Sequence, residues 1–369
     1  MNPIGTRGAG QSREVGTRVP QTQSHERLLQ IGRALFEAAG SPADEADLTA
    51  RNLVVTSLMG GDSHGVIRIP EYLDFIERGS IIPGAAMTVS PRSEGTAVVD
   101  CGRNLGPVGA TFAIREGIAR ARRHKVACVI TQNCPHVGRL GAYPQIAAEE
   151  GLIAIATCNS PISGHFVLPW GGREGRLATN PIAYAVPTGG WPVIADLSTC
   201  VAPEGKIRWH RNLALPLPPG WIHDAAGRPS TDPNDFYGPP RGGILPLGGP
   251  NGYKGFALGL LVEILGSALA GLSSTDPTRD GNGLCFLVLD PSCFLPLEQF
   301  RALMDELAAY IKSSPPADGV DEVLLPGELE LRTMNQRSES GIPLDDRTWR
   351  AILAHCARLG VPTYQEQPA

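Results

Sequence analysis

The stretch Gly61-Asp62-Ser63-His64-Gly65-Val66-Ile67-Arg68-Ile69-Pro70 sets a histidine between the glycine pair Gly60-Gly61 and Gly65, with an arginine four residues on. Helix-like patterns lie on both sides of it. A histidine held at such a break is open to a small molecule, and an arginine beside it can hold an anion. Taken alone, the same residues read more simply as a surface turn with an incidental histidine. The rest of the chain has to decide between the two.

Working outward, Glu26–Ala39 carries Leu28, Leu29, Ile31, Leu35 and Phe36 at helical spacing. Ser41 reads as an N-cap for a second helix, Ala43–Met59, with Pro42 in its first turn and Gly60-Gly61 as its stop. A third helix is expected over Pro70–Arg78. Beyond a Pro-bounded loop the period changes. Thr96–Asp100, Val126–Thr131, Leu152–Cys158, Ile182–Val186 and Val193–Leu197 are runs of strand length. Helical patterns at Val108–Arg123 and Leu140–Glu150 separate the earlier ones, which argues for an α/β architecture. Pro203–Gly252 is dense in Pro and Gly and is expected to be an ordered excursion packed by Trp209, Trp221 and Tyr237. A long apolar helix over Tyr253–Leu272, a strand at Leu284–Asp290, a helix at Leu297–Lys312, a strand at Glu322–Leu325 and a last helix at Asp345–Leu359 complete the reading.

The 369 residues are 42% hydrophobic and 19% charged, with a net charge of -5. That is enough chain for two or three subdomains, and the acidic balance argues against nucleic acid as a partner. The apolar run near Phe256–Leu272 carries Glu263 and several glycines, so a membrane span is not expected. Residues 1–24 read as a disordered leader without a signal-peptide core. The eight cysteines form neither a zinc pattern nor a disulfide framework, so reduced thiols, a cytoplasmic location and no metal are expected.

The dinucleotide fingerprint GxGxxG is absent, as is a P-loop, so a nucleotide would not sit on a standard Rossmann turn. Other turns offer backbone N–H groups: Asn133–Gly138, Trp170-Gly171-Gly172, Thr179-Asn180-Pro181, Leu247-Gly248-Gly249 and Tyr253-Lys254-Gly255. Asp196-Leu197-Ser198-Thr199 stands where a strand ends, the usual ligand edge of an α/β sheet.

In order along the chain, Ser63-His64-Gly65-Val66 with Arg68, Asn133 with His136 and Gly138, and Thr179-Asn180-Pro181 resemble the malate/L-lactate dehydrogenase family. So do Asp196 with Ser198, Gly205-Lys206, Pro246–Gly249, Lys254-Gly255 and Leu325-Pro326-Gly327-Glu328. The family also holds sulfolactate, ureidoglycolate and diketogulonate oxidoreductases and reductases of piperideine and pyrroline carboxylates. The resemblance implies a non-Rossmann NAD(P)-binding α/β fold with a mixed sheet core and a helical part drawn from both chain ends. We expect the helical part at 25–95 and 297–363 and the cofactor- and substrate-binding core at 96–296. It also implies a homodimer, NAD or NADP as cofactor, and a small carboxylate substrate.

By the same resemblance, His64 is the proton donor or acceptor, with Asp196 orienting it or a substrate amine. Arg68 and His136 bind substrate. The cofactor lies against Pro192, Val193, Ile194, Ala195, Asp196, Leu197 and Ser198, with Thr179, Asn180, Tyr253, Lys254, Gly327 and Glu328. Reducing C=O leaves charge on oxygen, and a neutral-range acid must supply the proton, a role that suits histidine without a large pKa shift. Asp62, if it points inward, would raise the His64 pKa. Cys200 stands where the family usually has serine, and Ile207–Leu217 is less regular than the family's helix. The expected function is hydride transfer between nicotinamide and a 2-oxo or 2-hydroxy acid. Reduction of a C=N bond is the alternative, and a catalytically silent ligand-binding dimer is a second.

Overall fold

The computed structural model describes residues 21–364, so most of the expected leader lies outside the described residues. Its last part is ordered. Gln21–Gln23 forms strand β1, antiparallel to Ile342–Leu344, and the Ser24 side chain accepts from Arg27 N at 3.3 Å to cap the next helix.

Three helices follow: α1 (His25–Ala38), α2 (Ala43–Leu58) and α3 (Arg68–Glu77). The cap of α2 is Pro42 and not Ser41, whose hydroxyl is buried without a partner. A proline N-cap needs no N–H, and the first-turn acid Glu45 instead reaches out to Gly84 N and Asn104 Nδ2. Helix α3 starts two residues earlier than its proline suggests, which puts Arg68 on the helix. Leu28, Ile31, Leu35 and Phe36 of α1 pack with Leu53, Ile69, Tyr72 and, from the far end of the chain, Ile342, Trp349 and Ile352. One helical core is thus built from both ends of the sequence.

The central sheet begins with β2 (Thr88–Pro91) and β3 (Thr96–Asp100). Helix α4 (Gly106–His124) ends where Lys125 turns left-handed, and β4 (Val126–Gln132), α5 (Ala142–Glu149), β5 (Ile153–Asn159), β6 (Ile182–Val186) and β7 (Val193–Leu197) follow. The excursion contains α6 (Glu204–Asn212), β8 (Ile222–His223), β9 (Pro229–Ser230), α7 (Pro233–Tyr237) and β10 (Gly243–Ile244). It closes on its own small core of Ile207, Leu217, Ile222, Phe236 and Ile244, joined by Trp221 and Tyr237. Trp209 does not join them and is 56% exposed.

Then come α8 (Tyr253–Gly266), β11 (Gly283–Leu289), α9 (Leu297–Lys312), α10 (Glu328–Ser340), β12 (Ile342–Leu344) and α11 (Asp346–Leu359). The expected α8 is cut short at Gly266, after which a 3-10 turn covers Ala268–Ala270. The strand expected at Glu322–Leu325 is absent. Its residues form a loop, and the helix α10 follows it unannounced, because none of its side chains is buried and it has no apolar stripe to read.

The sheet order is β2-β3-β4-β11-β5-β6-β7, with β3 and β4 parallel and every other pair antiparallel. One face is sealed by α4 and α5 over Val129, Ala156, Phe286 and Val288, with the Tyr143 and Phe286 rings 6.1 Å apart. The sheet starts at Thr88, not residue 96. Asp305 of α9 accepts from Gly189 N, in the turn between β6 and β7, at 3.0 Å. All eight cysteines are free, six of them buried.

Candidate active site

The Gly60-Gly61 break is no loose turn. Gly60 is left-handed (φ 85°), and the chain after it folds back onto α2. Val66 N donates to Ser57 Oγ at 3.0 Å. A Cβ on Gly65 would fall 2.0 Å from that oxygen, so only glycine lets the backbone pass. A short 3-10 turn, Asp62–His64, presents His64 to a cavity of about 530 Å³.

The His64 ring stacks on His136 with centroids 5.4 Å apart and planes at 23°. Ser63 Oγ lies 2.8 Å from His64 Nδ1, which leaves Nε2 as the free ring nitrogen. Tyr72 fixes His136 from behind: its hydroxyl is 2.8 Å from both His136 Nδ1 and the His136 carbonyl oxygen. Gly138 N donates to the same Nδ1 at 3.3 Å, so Nδ1 accepts and the proton of a neutral ring sits on Nε2. Both histidines are half-buried and line the cavity. Burial, followed by the charge of Arg68, lowers the His64 pKa to about 4. The same causes, with His64 added, push His136 well below its ordinary value. The near-neutral pKa expected for His64 is therefore corrected. Asp62 does not counter the shift, because its carboxylate bonds to Arg337 at 2.6 and 3.1 Å.

Strand β7 forms a second wall. Ile194, Asp196, Leu197 and Ser198 line the cavity, whereas Pro192, Val193 and Ala195 do not, as strand alternation largely requires. Asp196 Oδ2 accepts from Gly141 N at 2.7 Å, and no bond joins it to His64. Burial raises its pKa against the opposing pull of Gly141 and Arg139. Thr179 lines the cavity. Asn180 stands behind the wall, fully buried, donating to Gly259 O at 2.9 Å and to Glu263 at 3.0 Å. Gly327 also lines it, while the Glu328 side chain turns away to Lys312 at 2.5 Å and Leu325 N at 2.9 Å. Tyr253 and Lys254 lie outside this cavity, at the exposed start of α8.

Arg68 does not reach the cavity wall. Its Nε donates to Ser63 O at 2.7 Å and its Nη1 to Glu71 at 2.5 Å. The cations that do line the cavity are Arg139 and Lys206, with Trp191, Ser160, Asn282 and Glu330 as further wall residues. None of these six was singled out from sequence as a site residue; Gly205-Lys206 alone carried a hint. Cys200 is buried and donates to Ala202 O at 3.2 Å, so the exchange from serine keeps a bond. Burial pushes its thiol up to about 11. The irregular stretch after Pro203 is helical through Asn212.

The model of the family described as malate/L-lactate dehydrogenase matches residues 23–353. The chain belongs to the malate/L-lactate dehydrogenase family. The malate dehydrogenase of Pyrococcus horikoshii is 33% identical over 355 residues, covering 93% of this chain and 96% of that protein. The sulfolactate dehydrogenase structure from Methanocaldococcus jannaschii has a TM-score of 0.84 at 31% identity, covering 93% of this chain and 98% of that one. The delta1-piperideine-2-carboxylate reductase structure from Pseudomonas syringae pvar. tomato has a TM-score of 0.77 at 26% identity, covering 91% and 99%. This dehydrogenase-family enzyme thus has the α/β fold of its relatives, and its family implies a nicotinamide cofactor and a small carboxylate substrate.

Proposed function

We propose that this protein transfers a hydride between NAD(P) and a small 2-oxo or 2-hydroxy carboxylic acid, with His64 moving the proton. The observation that carries this reading is the His64 imidazole: it faces the cavity, stacks on His136, and has one nitrogen engaged by Ser63. The cavity suits a dinucleotide. Its volume is in the range of cofactor sites, and Gly60, Gly61, Gly138 and Gly327 line it with bare backbone. Arg139 supplies a cation for phosphate, and its Nε is a buried polar atom without a partner. Bound there, the nicotinamide gives or takes the hydride.

The rest is the work of this chain's own side chains. Burial and Arg68 keep His64 neutral, ready to take the hydroxyl proton in the oxidative direction and to return it in reduction. His136 offers an Nε2–H beside it. Lys206 lines the cavity with no carboxylate within ion-pair distance among the described residues. We assign the substrate carboxylate to it in preference to Arg68. Likeness to the piperideine-carboxylate reductase supports a second reading, in which the carbon reduced is that of a C=N bond.

The test is a panel of 2-oxo and cyclic 2-imino acids followed by nicotinamide absorbance, with wild type and His64→Ala. Turnover should fall by about 10²–10⁴ in the variant, with cofactor affinity retained by calorimetry. Full activity in the variant would sink the assignment.

A further inference from the structure

The turn that carries His64 is also held from the far end of the sequence. Glu330, Thr333 and Arg337 of α10 are three and four residues apart, so they share one face of that helix. That face runs onto the Gly60–Asp62 turn. A Cβ on Gly60 would stand 3.3 Å from Thr333 Cγ2. One helical turn further, the Arg337 guanidinium bridges the two sides of the glycine break. Its Nη1 donates to Ser57 O, in the last turn of α2, at 2.6 Å and to Asp62 Oδ1 at 2.6 Å, while its Nη2 donates to Asp62 Oδ2 at 3.1 Å.

Neither Arg337 nor Asp62 lines the cavity, so neither is placed to touch a ligand there. Their pairing acts on the backbone instead. Asp62 opens the 3-10 turn that ends at His64, and Arg337, only 18% exposed, ties it to the end of α2. A planar guanidinium can reach a carboxylate and a carbonyl together, which a lysine ammonium does less well. Ser57 is held a second time, since its Oγ accepts from Val66 N. The loop from Ser57 to Val66 is thus fastened to one serine before and after His64. An ion pair of this exposure adds little to stability. Misplacing a reacting group by about 1 Å, in contrast, costs on the order of 10²-fold in rate.

We propose that Arg337 is a positioning residue for His64, clamping Asp62 to the end of α2 so that the imidazole is held at its working distance from the reacting atom. This rests on His64 being the proton-transfer group. The experiment is a double-mutant cycle on the full-length protein, read by nicotinamide absorbance with the 2-oxo or 2-imino acid that wild type turns over fastest. Arg337→Ala should lower kcat by at least about tenfold, with KM within about twofold of wild type and thermal unfolding little changed. Arg337→Lys keeps the charge without the fork and should recover part of the loss. Asp62→Ala should match Arg337→Ala, and since Asp62 is 53% exposed it decides the matter if Arg337→Ala does not fold. In a His64→Ala background, Arg337→Ala should cost nothing further. Undiminished kcat in either folded variant, or the same fold loss with and without His64, overturns this proposal while leaving the role of His64 standing. Full activity in His64→Ala alone overturns the reading beneath it.

Discussion

At the scale of single residues, the site turns on which cation acts on what. Arg68 is the nearer charge to His64 and lowers its pKa, while Lys206 is the cation with a free face on the cavity. The two roles separate in a pH profile. Above about pH 4 the His64 ring is neutral and serves as a base, so kcat/KM for oxidation should be flat near neutrality and fall as pH drops through that value. Removing the positive charge in Arg68→Ala favours the imidazolium, so the acid limb should move to higher pH. Lys206→Ala should leave the limb in place and raise KM for the carboxylate by about tenfold or more, the loss of one charge-assisted contact. An unmoved limb in Arg68→Ala, or an unchanged KM in Lys206→Ala, contradicts this division. His64 and His136 were legible in the sequence because glycines and neighbouring motifs frame them. Arg139 and Glu330 were not, because one stands in a loop and the other on the exposed helix α10, and no motif spacing reports that their side chains meet the cavity.

Elements place those residues, and here the sequence was readable where burial is strong. The β-branched runs of β3, β4, β5, β6 and β7 and the stripe of α1 were legible from their period alone. Helix α10 and the loop before it were not, since both sit on the surface. Asn180 shows a different limit. Its motif was readable, yet its side chain holds the cavity wall from behind by bonding to Glu263 of α8. Glu263 is itself buried and also accepts from Asn159 at 2.7 Å and Ser267 at 3.1 Å. Truncating it leaves several neutral donors buried without an acceptor, and an unsatisfied buried donor costs about 1–3 kcal/mol. Glu263→Ala should therefore lower the thermal unfolding midpoint by several degrees, as read by circular dichroism, and loosen cofactor binding through Asn180. A midpoint within a degree of wild type would show that the network is not structural.

At the scale of the whole molecule, the sheet cannot be completed until late in the chain, because β11 inserts between β4 and β5. Sequence periodicity gives strands but not that order, so the mixed sheet came from family resemblance alone. Helix α8 packs on this part of the sheet with its usual pattern reversed. Gly255, Gly259 and Gly266 face the protein, while Leu258, Leu261 and Ile264 point outward, next to exposed Ile155 and Leu287 on the sheet face. The segment Tyr253–Ala270 is apolar and long enough by composition to cross a membrane. Its α-helical part is only 14 residues, about 21 Å, and it carries the buried Glu263. An outward leucine face over small inward residues is instead the mark of a protein interface. A second copy of the chain is the occupant we infer, with Tyr253 and Lys254 then at the subunit boundary. Light scattering should find a dimer for wild type and a monomer for Leu261→Glu, whose charge cannot be buried unpaired across a twofold. A monomeric wild type, or an intact dimer in the variant, would place the subunit contact elsewhere and leave the α8 face without a partner.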